Sequence, residues 1–147
     1  MNKLAEHLKA LGQISFRDFM KIALYDENHG YYTKNIRTVG RSGDFSTLAT
    51  INDTLAKSIG SWIKDRWKQS KQLKGNIIEI GAGDGSLAEK VLKNLKLWSR
   101  FGLRYHIVET SPKLSQIQKD HLRNRKFIVW HKRMEDALAA CSGNALI

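Results

Sequence analysis

The sequence predicts an α/β protein built on a parallel sheet, and three observations carry the prediction. Asn76-Ile77-Ile78-Glu79-Ile80 is a run rich in β-branched residues, too short for a stable helix, and it delivers the glycine turn Gly81-Ala82-Gly83-Asp84-Gly85. Past Gly85 the apolar spacing becomes helical, with Leu87, Val91, Leu92 and Leu95 recurring between about Ser86 and Leu97. The same order then repeats: Tyr105-His106-Ile107-Val108-Glu109 reads as a second strand, a helical stretch follows, and Phe127-Ile128-Val129-Trp130 reads as a third strand. Strands that alternate with helices assemble into a parallel sheet whose ligands bind at the carboxyl ends of the strands. Residues 76–81, 104–109 and 126–130 are therefore expected to lie side by side and parallel, with Gly81 to Gly85 at the carboxyl edge.

From the amino terminus, residues 2–11 set Leu4, Leu8 and Leu11 on one side of a short helix that Gly12 can end. Ser15 and Asp18 have capping-box spacing, and Phe16, Phe19, Met20, Ala23 and Leu24 form a stripe read as core packing. Two turn-rich stretches follow, Leu24 to Tyr32 with three tyrosines and Gly40 to Thr47 with two glycines. Each reads, alone, as an ordered turn. A helix over 51–67 carries Ile51, Leu55, Ile59, Trp62 and Ile63 on one face, with Thr50 and Asp53 as its cap. After Glu109, Ser111 and Pro112 suit an N-cap and first helical position, and Leu114, Ile117, His121 and Leu122 supply the buried stripe. Met134 and Glu135, beyond the third strand, read as a core methionine and a solvated acid. Asn144-Ala145-Leu146-Ile147 reads as the opening of a fourth strand.

Composition bounds the function. A chain of 147 residues with 41% hydrophobic content can build one cored domain. Its 25 basic and 14 acidic residues give a net charge of +11. The bases are spread over Lys64 to Lys74, Lys90 to Arg104 and Lys113 to Arg133 on polar helix faces, which argues against nucleic acid as the partner. No apolar run approaches a membrane span, and there is no signal-peptide core or clear transit peptide. The single cysteine, Cys141, leaves neither an internal disulfide nor a CxxC metal site, and these features together predict a cytoplasmic protein. His7, His29, His106, His121 and His131 have no ligand spacing, so no metal is expected.

The glycine turn narrows the ligand. A dinucleotide turn G-x-G-x-x-G wants glycine or alanine at its sixth place, where this chain has Ser86. Glu79 and Asp84 would repel a pyrophosphate, so a cationic or neutral ligand is favoured. S-adenosylmethionine, with a sulfonium, an ammonium and no phosphate, is such a ligand. Glu79 to Gly85 resembles the first motif of class I S-adenosylmethionine-dependent methyltransferases, and Glu109 ends the second strand where an acid binds ribose hydroxyls.

The order LYDxxHGYY, GRSGDFxT, ExGAGDGxLA and IVExSPxL resembles the MidA-like family of these enzymes, relatives of the mitochondrial complex I assembly protein-arginine methyltransferase, from about Ile14 to Trp130. The resemblance implies a class I methyltransferase Rossmann-like parallel sheet, truncated within its fourth strand, with an N-terminal helical extension. Residues 1–70 would form that extension with the HGYY and SGDF loops, and 71–147 an incomplete S-adenosylmethionine-binding domain. It further implies a protein (arginine) N-methyltransferase, inactive as this chain alone, acting on a protein such as a respiratory complex I subunit. Self-association or a missing C-terminal part would cover the open sheet edge. Residue by residue, Glu79, Gly81 and Gly83 would hold the aminoacyl end of the cofactor and Glu109 its ribose. Gly43, Asp44 and Phe45 would face the cofactor or substrate cleft as cofactor-binding residues, with Asp44 also the catalytic acid; His29, Gly30 and Tyr31 would face it too, His29 and Tyr31 meeting the substrate. Met134 and Glu135 fall where such enzymes contact adenine. The chain departs from the family at Ala49-Thr50, where members often show Pro-Glu. An RNA methyltransferase, suggested by the charge, and a non-catalytic assembly module are the alternatives.

Overall fold

A computed structural model describes residues 3–36, 52–70, 75–95, 102–123 and 125–147. Helices α1 (Lys3–Ala10) and α2 (Phe16–Tyr25) precede a π-helical turn (Tyr31–Asn35), and helix α3 (Thr54–Gln69) leads to the sheet. Strands β1 (Asn76–Ile80), β2 (Arg104–Val108) and β3 (Ile128–His131) then alternate with helices α4 (Ser86–Asn94), α5 (Pro112–His121) and α6 (Met134–Ala140). The strands run parallel in the order β1-β2-β3, with Ile77 opposite Tyr105 and Tyr105 opposite Ile128. The expected parallel trio is thus observed.

Beside β1, Leu146 makes a parallel bridge to Ile77. Its N–H donates to the Asn76 carbonyl at 3.1 Å, and its own carbonyl accepts from the Ile78 N–H at 2.7 Å. The chain therefore steps outward from β1 to β3 and returns to the opposite side of β1. The carboxyl end of β1 is a topological switch point, the crevice where open α/β sheets take their ligands.

Helices cover both faces of the sheet. On one face, Ala56, Ile63 and Trp67 of α3 and Ala88, Val91 and Leu92 of α4 pack with Ile77, Tyr105, Ile107, Leu122 and Ile128. Helix α3 thus shares the main core with the sheet. Ile107 and Leu122 are fully buried, and each such side chain contributes about 1.5–3 kcal/mol relative to exposure. On the other face Ile78 and Val108 meet Ala137 and Cys141, with Met134 and Leu138 packed against them.

Three local expectations shift. The Ser15 cap forms as expected: its hydroxyl accepts from the Asp18 N–H at 3.1 Å and donates to the Asp18 carboxylate at 2.6 Å. Yet no residue of α2 is buried: among the described residues Phe16, at 77% exposed, Phe19 and Met20 lie open, and Ala23 and Leu24 are only half-buried, so the stripe read as core is not enclosed. Helix α3 buries Ala56, Gly60, Ile63 and Trp67, whereas Leu55 and Trp62 are exposed. Gly60 is the reason: a β-carbon there would stand 3.0 Å from the Asn94 β-carbon, so the bare glycine lets α4 come close and turns that side inward. On α5, His121 is exposed and Gln118 takes its place in the core.

Candidate functional site

The carboxyl ends of β1 and β2 open into a cleft of about 340 Å³ lined by Tyr25, Tyr32, Ile80, Gly81, Gly83, Val108, Glu109, Thr110 and Leu114. Gly81 adopts φ of +68°, and nothing stands within 4 Å of where its β-carbon would be. That open space admits a ligand to the backbone, which is what the alternating glycines imply. Gly85 has a different duty. It starts α4 at φ of +85°, a left-handed conformation that L side chains rarely adopt, while a β-carbon on it would make only ordinary contact with Leu122 at 3.4 Å. Asp84 ties the turn to the helix, accepting from the Ser86 N–H at 2.9 Å and the Ser86 hydroxyl at 2.8 Å.

Glu109 follows β2 and is held from two sides. One carboxylate oxygen accepts from the Ser111 N–H at 2.8 Å and the other from the Gln118 side-chain amide at 3.0 Å. Gln118 is fully buried, and its amide also donates to the Gly83 carbonyl at 3.0 Å while its oxygen accepts from the Trp130 indole N–H at 3.1 Å. One side chain thereby joins the glycine turn, the acid of β2 and the end of β3, with each of its polar atoms bonded. The carboxylate oxygens keep further acceptor capacity for hydroxyls in the cleft.

Glu79 stands next door. It accepts from the Tyr105 hydroxyl at 2.8 Å and lines an apolar pocket of about 330 Å³ with Ile59, Trp62, Ile80 and Leu146. The pocket and the cleft meet at Ile80. Burial pushes the Glu79 carboxyl up to about 7 despite the Tyr105 hydrogen bond, and the Asp84 charge adds to the rise. A carboxyl in that state gains most from a cation placed beside it.

The structure therefore gathers Gly81, Gly83 and Glu109 into one cleft and puts Glu79 at its margin. Gly43, Asp44 and Phe45 lie outside the described residues, as do Ala49 and Thr50. His29 completes a turn: its N–H donates to the Asp26 carboxylate at 2.8 Å and its ring Nδ1 lies 3.2 Å from the same oxygen. Tyr31 stands edge-on behind Tyr32, with ring centroids 5.1 Å apart. The residues of that segment that reach the cleft are Tyr25 and Tyr32, which periodicity did not single out. Gln118 was also missed. It lies four residues from both Leu114 and Leu122, and a polar residue inside that apolar spacing is the signal that could have found it. Met134 packs with Ile78 and Val108, and Glu135 is an exposed partner of Arg133 at 3.3 Å, so both take their ordinary readings. No group of three metal-ligating side chains occurs among the described residues, and no described helix is long and apolar enough to cross a membrane.

A parallel sheet, a glycine turn at its switch point and an acid ending the adjacent strand define a nucleoside-binding α/β protein. The family described as putative S-adenosyl-L-methionine-dependent methyltransferase matches residues 58–144, more than half of the chain, and the chain belongs to it. The chain is 35% identical over 127 residues to the protein arginine methyltransferase NDUFAF7, mitochondrial, of Danio rerio, covering 83% of this chain and 30% of that protein. It is 34% identical over 121 residues to the Drosophila melanogaster homolog, covering 78% of this chain and 28% of the relative. A crystal structure of a Burkholderia thailandensis protein bound to S-adenosyl-homocysteine superposes with a TM-score of 0.69 at 26% identity, over 88% of this chain and 35% of that one. The chain thus spans about 30% of the length of the curated relatives it matches. The family resemblance and the Rossmann-like α/β fold agree with these findings, as does S-adenosylmethionine as the family's cofactor. The cytoplasmic expectation does not stand: the vertebrate and fly relatives are named as mitochondrial proteins, and composition and a lone cysteine do not separate the two compartments.

Proposed function

We propose that this chain carries the cofactor site of an S-adenosylmethionine-dependent methyltransferase that acts on protein arginine. The observation that supports it most is the convergence of Gly81, Gly83 and Glu109 on one cleft at the switch point of the sheet. The residues fit the group. Glu109 is held so that its free lone pairs face hydroxyls, the glycine backbone admits close approach, and Glu79 offers a carboxyl that a cation would ionise. Bound there, the cofactor supplies a methyl group on a positively charged sulfur.

The chain's own contribution is to bind and orient. Glu109 receives the ribose hydroxyls, Gly81 and Gly83 the aminoacyl end, and Glu79 stabilises the cationic end from the margin of the cleft. In this reading residues 1–70 are the helical extension and 71–147 the cofactor domain, with α3 of the extension sharing the domain's core. An arginine acceptor needs a carboxylate fork to hold its planar guanidinium in line, and Asp44, with Gly43 and Phe45 beside it, is the proposed source of that acid. His29 and Tyr31 would meet the acceptor protein, for which a respiratory complex I subunit is the proposed identity. Calorimetric titration with S-adenosylhomocysteine tests the reading. Binding is expected for the wild-type chain, and Glu109→Ala should weaken it by about 1–3 kcal/mol through loss of charge-assisted hydrogen bonds. Equal affinity in both proteins would remove Glu109 from the site.

A further inference from the structure

We infer that Tyr25 and Tyr32 form an aromatic wall of the cleft that covers the nucleoside half of the cofactor, so that the N-terminal segment takes part in cofactor binding. The inference rests on the S-adenosylmethionine reading above. Both tyrosines line the same cleft as Gly81, Gly83 and Glu109. Their rings stack, with centroids 5.5 Å apart and planes 28° from parallel, and Tyr31 meets Tyr32 edge-on. Tyr25 is 48% exposed although it is large and aromatic, so core packing does not account for it.

The segment is fixed in place by four contacts. The Asp26 carboxylate accepts from the Asn28 and His29 N–H groups at 3.0 and 2.8 Å. Gly30 is pressed against the backbone of Asp26, where a β-carbon would stand 2.5 Å from the nitrogen and 2.6 Å from the oxygen. Ile36 is fully buried with Leu114, and Tyr31 and Tyr32 pack against them. The Ser111 hydroxyl donates to the Tyr32 carbonyl, while the Ser111 N–H donates to Glu109. Ser111 thus sets the distance between the aromatic wall and the acid that receives the ribose. Aromatic rings lining the same cleft as a hydroxyl-binding carboxylate suit a ligand with a planar base joined to a sugar.

Calorimetry with S-adenosylhomocysteine, run on the full chain alongside thermal unfolding of the ligand-free protein, tests it. Tyr25→Ala and Tyr32→Ala should each weaken binding about twofold to tenfold, the range for loss of one aromatic contact. Tyr25→Phe and Tyr32→Phe should bind as wild type, because the ring face and not the hydroxyl makes the contact. Tyr25→Ala should leave the ligand-free unfolding temperature unchanged, since half of that side chain is already in solvent. Wild-type affinity in both alanine variants, with Glu109→Ala still weakened, overturns the inference and leaves the cofactor reading intact. A fall in unfolding temperature without a change in affinity assigns the pair to packing and also overturns it. No binding by the wild-type chain overturns both.

Discussion

At the scale of single residues, Glu109 and Gln118 act as one unit, because the amide that steadies the carboxylate also holds the Gly83 carbonyl. Gln118→Leu would leave that carbonyl and the Trp130 indole without their partner inside a packed helix face. We expect a loss of about 1–3 kcal/mol in urea unfolding, together with weaker S-adenosylhomocysteine binding. Unchanged values for both would show that the network bears no weight. Glu79 gives a pH-dependent expectation. Its folded pKa is raised, from the ordinary 4.5 to about 7, so its contribution to stability is complete below the unfolded value and is lost as pH rises through about 7. Cofactor binding should run the other way, since the cationic ligand prefers the ionised carboxylate. Affinity for S-adenosylmethionine should rise between about pH 6 and pH 8 in the wild type and stay level in Glu79→Gln. A level wild-type profile would separate Glu79 from the ligand. Glu109 was legible because it ends an apolar strand. Gln118 was legible only as a polar residue inside an apolar spacing; the groups it bonds come from Gly83, Glu109 and Trp130, which sequence spacing does not bring together.

At the scale of elements, the turn between α2 and the π-helical turn depends on Gly30, whose φ is an ordinary −62°. Its requirement is closeness to Asp26, not backbone conformation. Gly30→Ala should therefore displace the tyrosine segment and lower cofactor affinity, while hydrogen exchange in β1 and β2 stays as in the wild type. Loss of protection across the whole sheet would mean that the turn is part of the core. His106 on β2 is a second titrating group, its ring Nδ1 2.9 Å from Nε2 of His131 on β3. Burial, then the charges of His131 and Arg104, hold the His106 pKa below its usual 6.5. The unfolded chain takes that proton first, so His106 should make the fold less stable as pH drops below about 6.5. His106→Phe should flatten that decline in a urea series, measured in a Glu79→Gln background because Glu79 has the opposite slope. Strand positions were legible from short apolar runs, the first of them bounded by Gly75 and Gly81. The buried side of α3 was legible only in part: Ile59 and Ile63 meet the core as the stripe predicts, whereas Leu55 and Trp62 do not, because Gly60 turns its own side inward through a close helix contact.

For the whole molecule, the sequence contained the order of strands and helices, and parallel pairing followed from that order. The switch point needed coordinates, because only the bridge from Leu146 to Ile77 establishes that the chain returns beside β1. The cleft was legible on its sheet side, where Gly81, Gly83 and Glu109 are motif residues. Its opposite wall was not, since Tyr25 and Tyr32 come from a segment distant in sequence and brought over the sheet by Ser111 and Leu114. The net charge of +11 is spread along the sequence rather than gathered in one basic run. The central claim is that a nucleoside ligand binds where the ends of β1 and β2 meet the N-terminal tyrosines. A crystal structure of the chain with S-adenosylhomocysteine tests it most directly. The account predicts ribose hydroxyls on the Glu109 carboxylate and the aminoacyl end against Gly81 and Gly83, whereas a ligand seated away from Glu109 would contradict it.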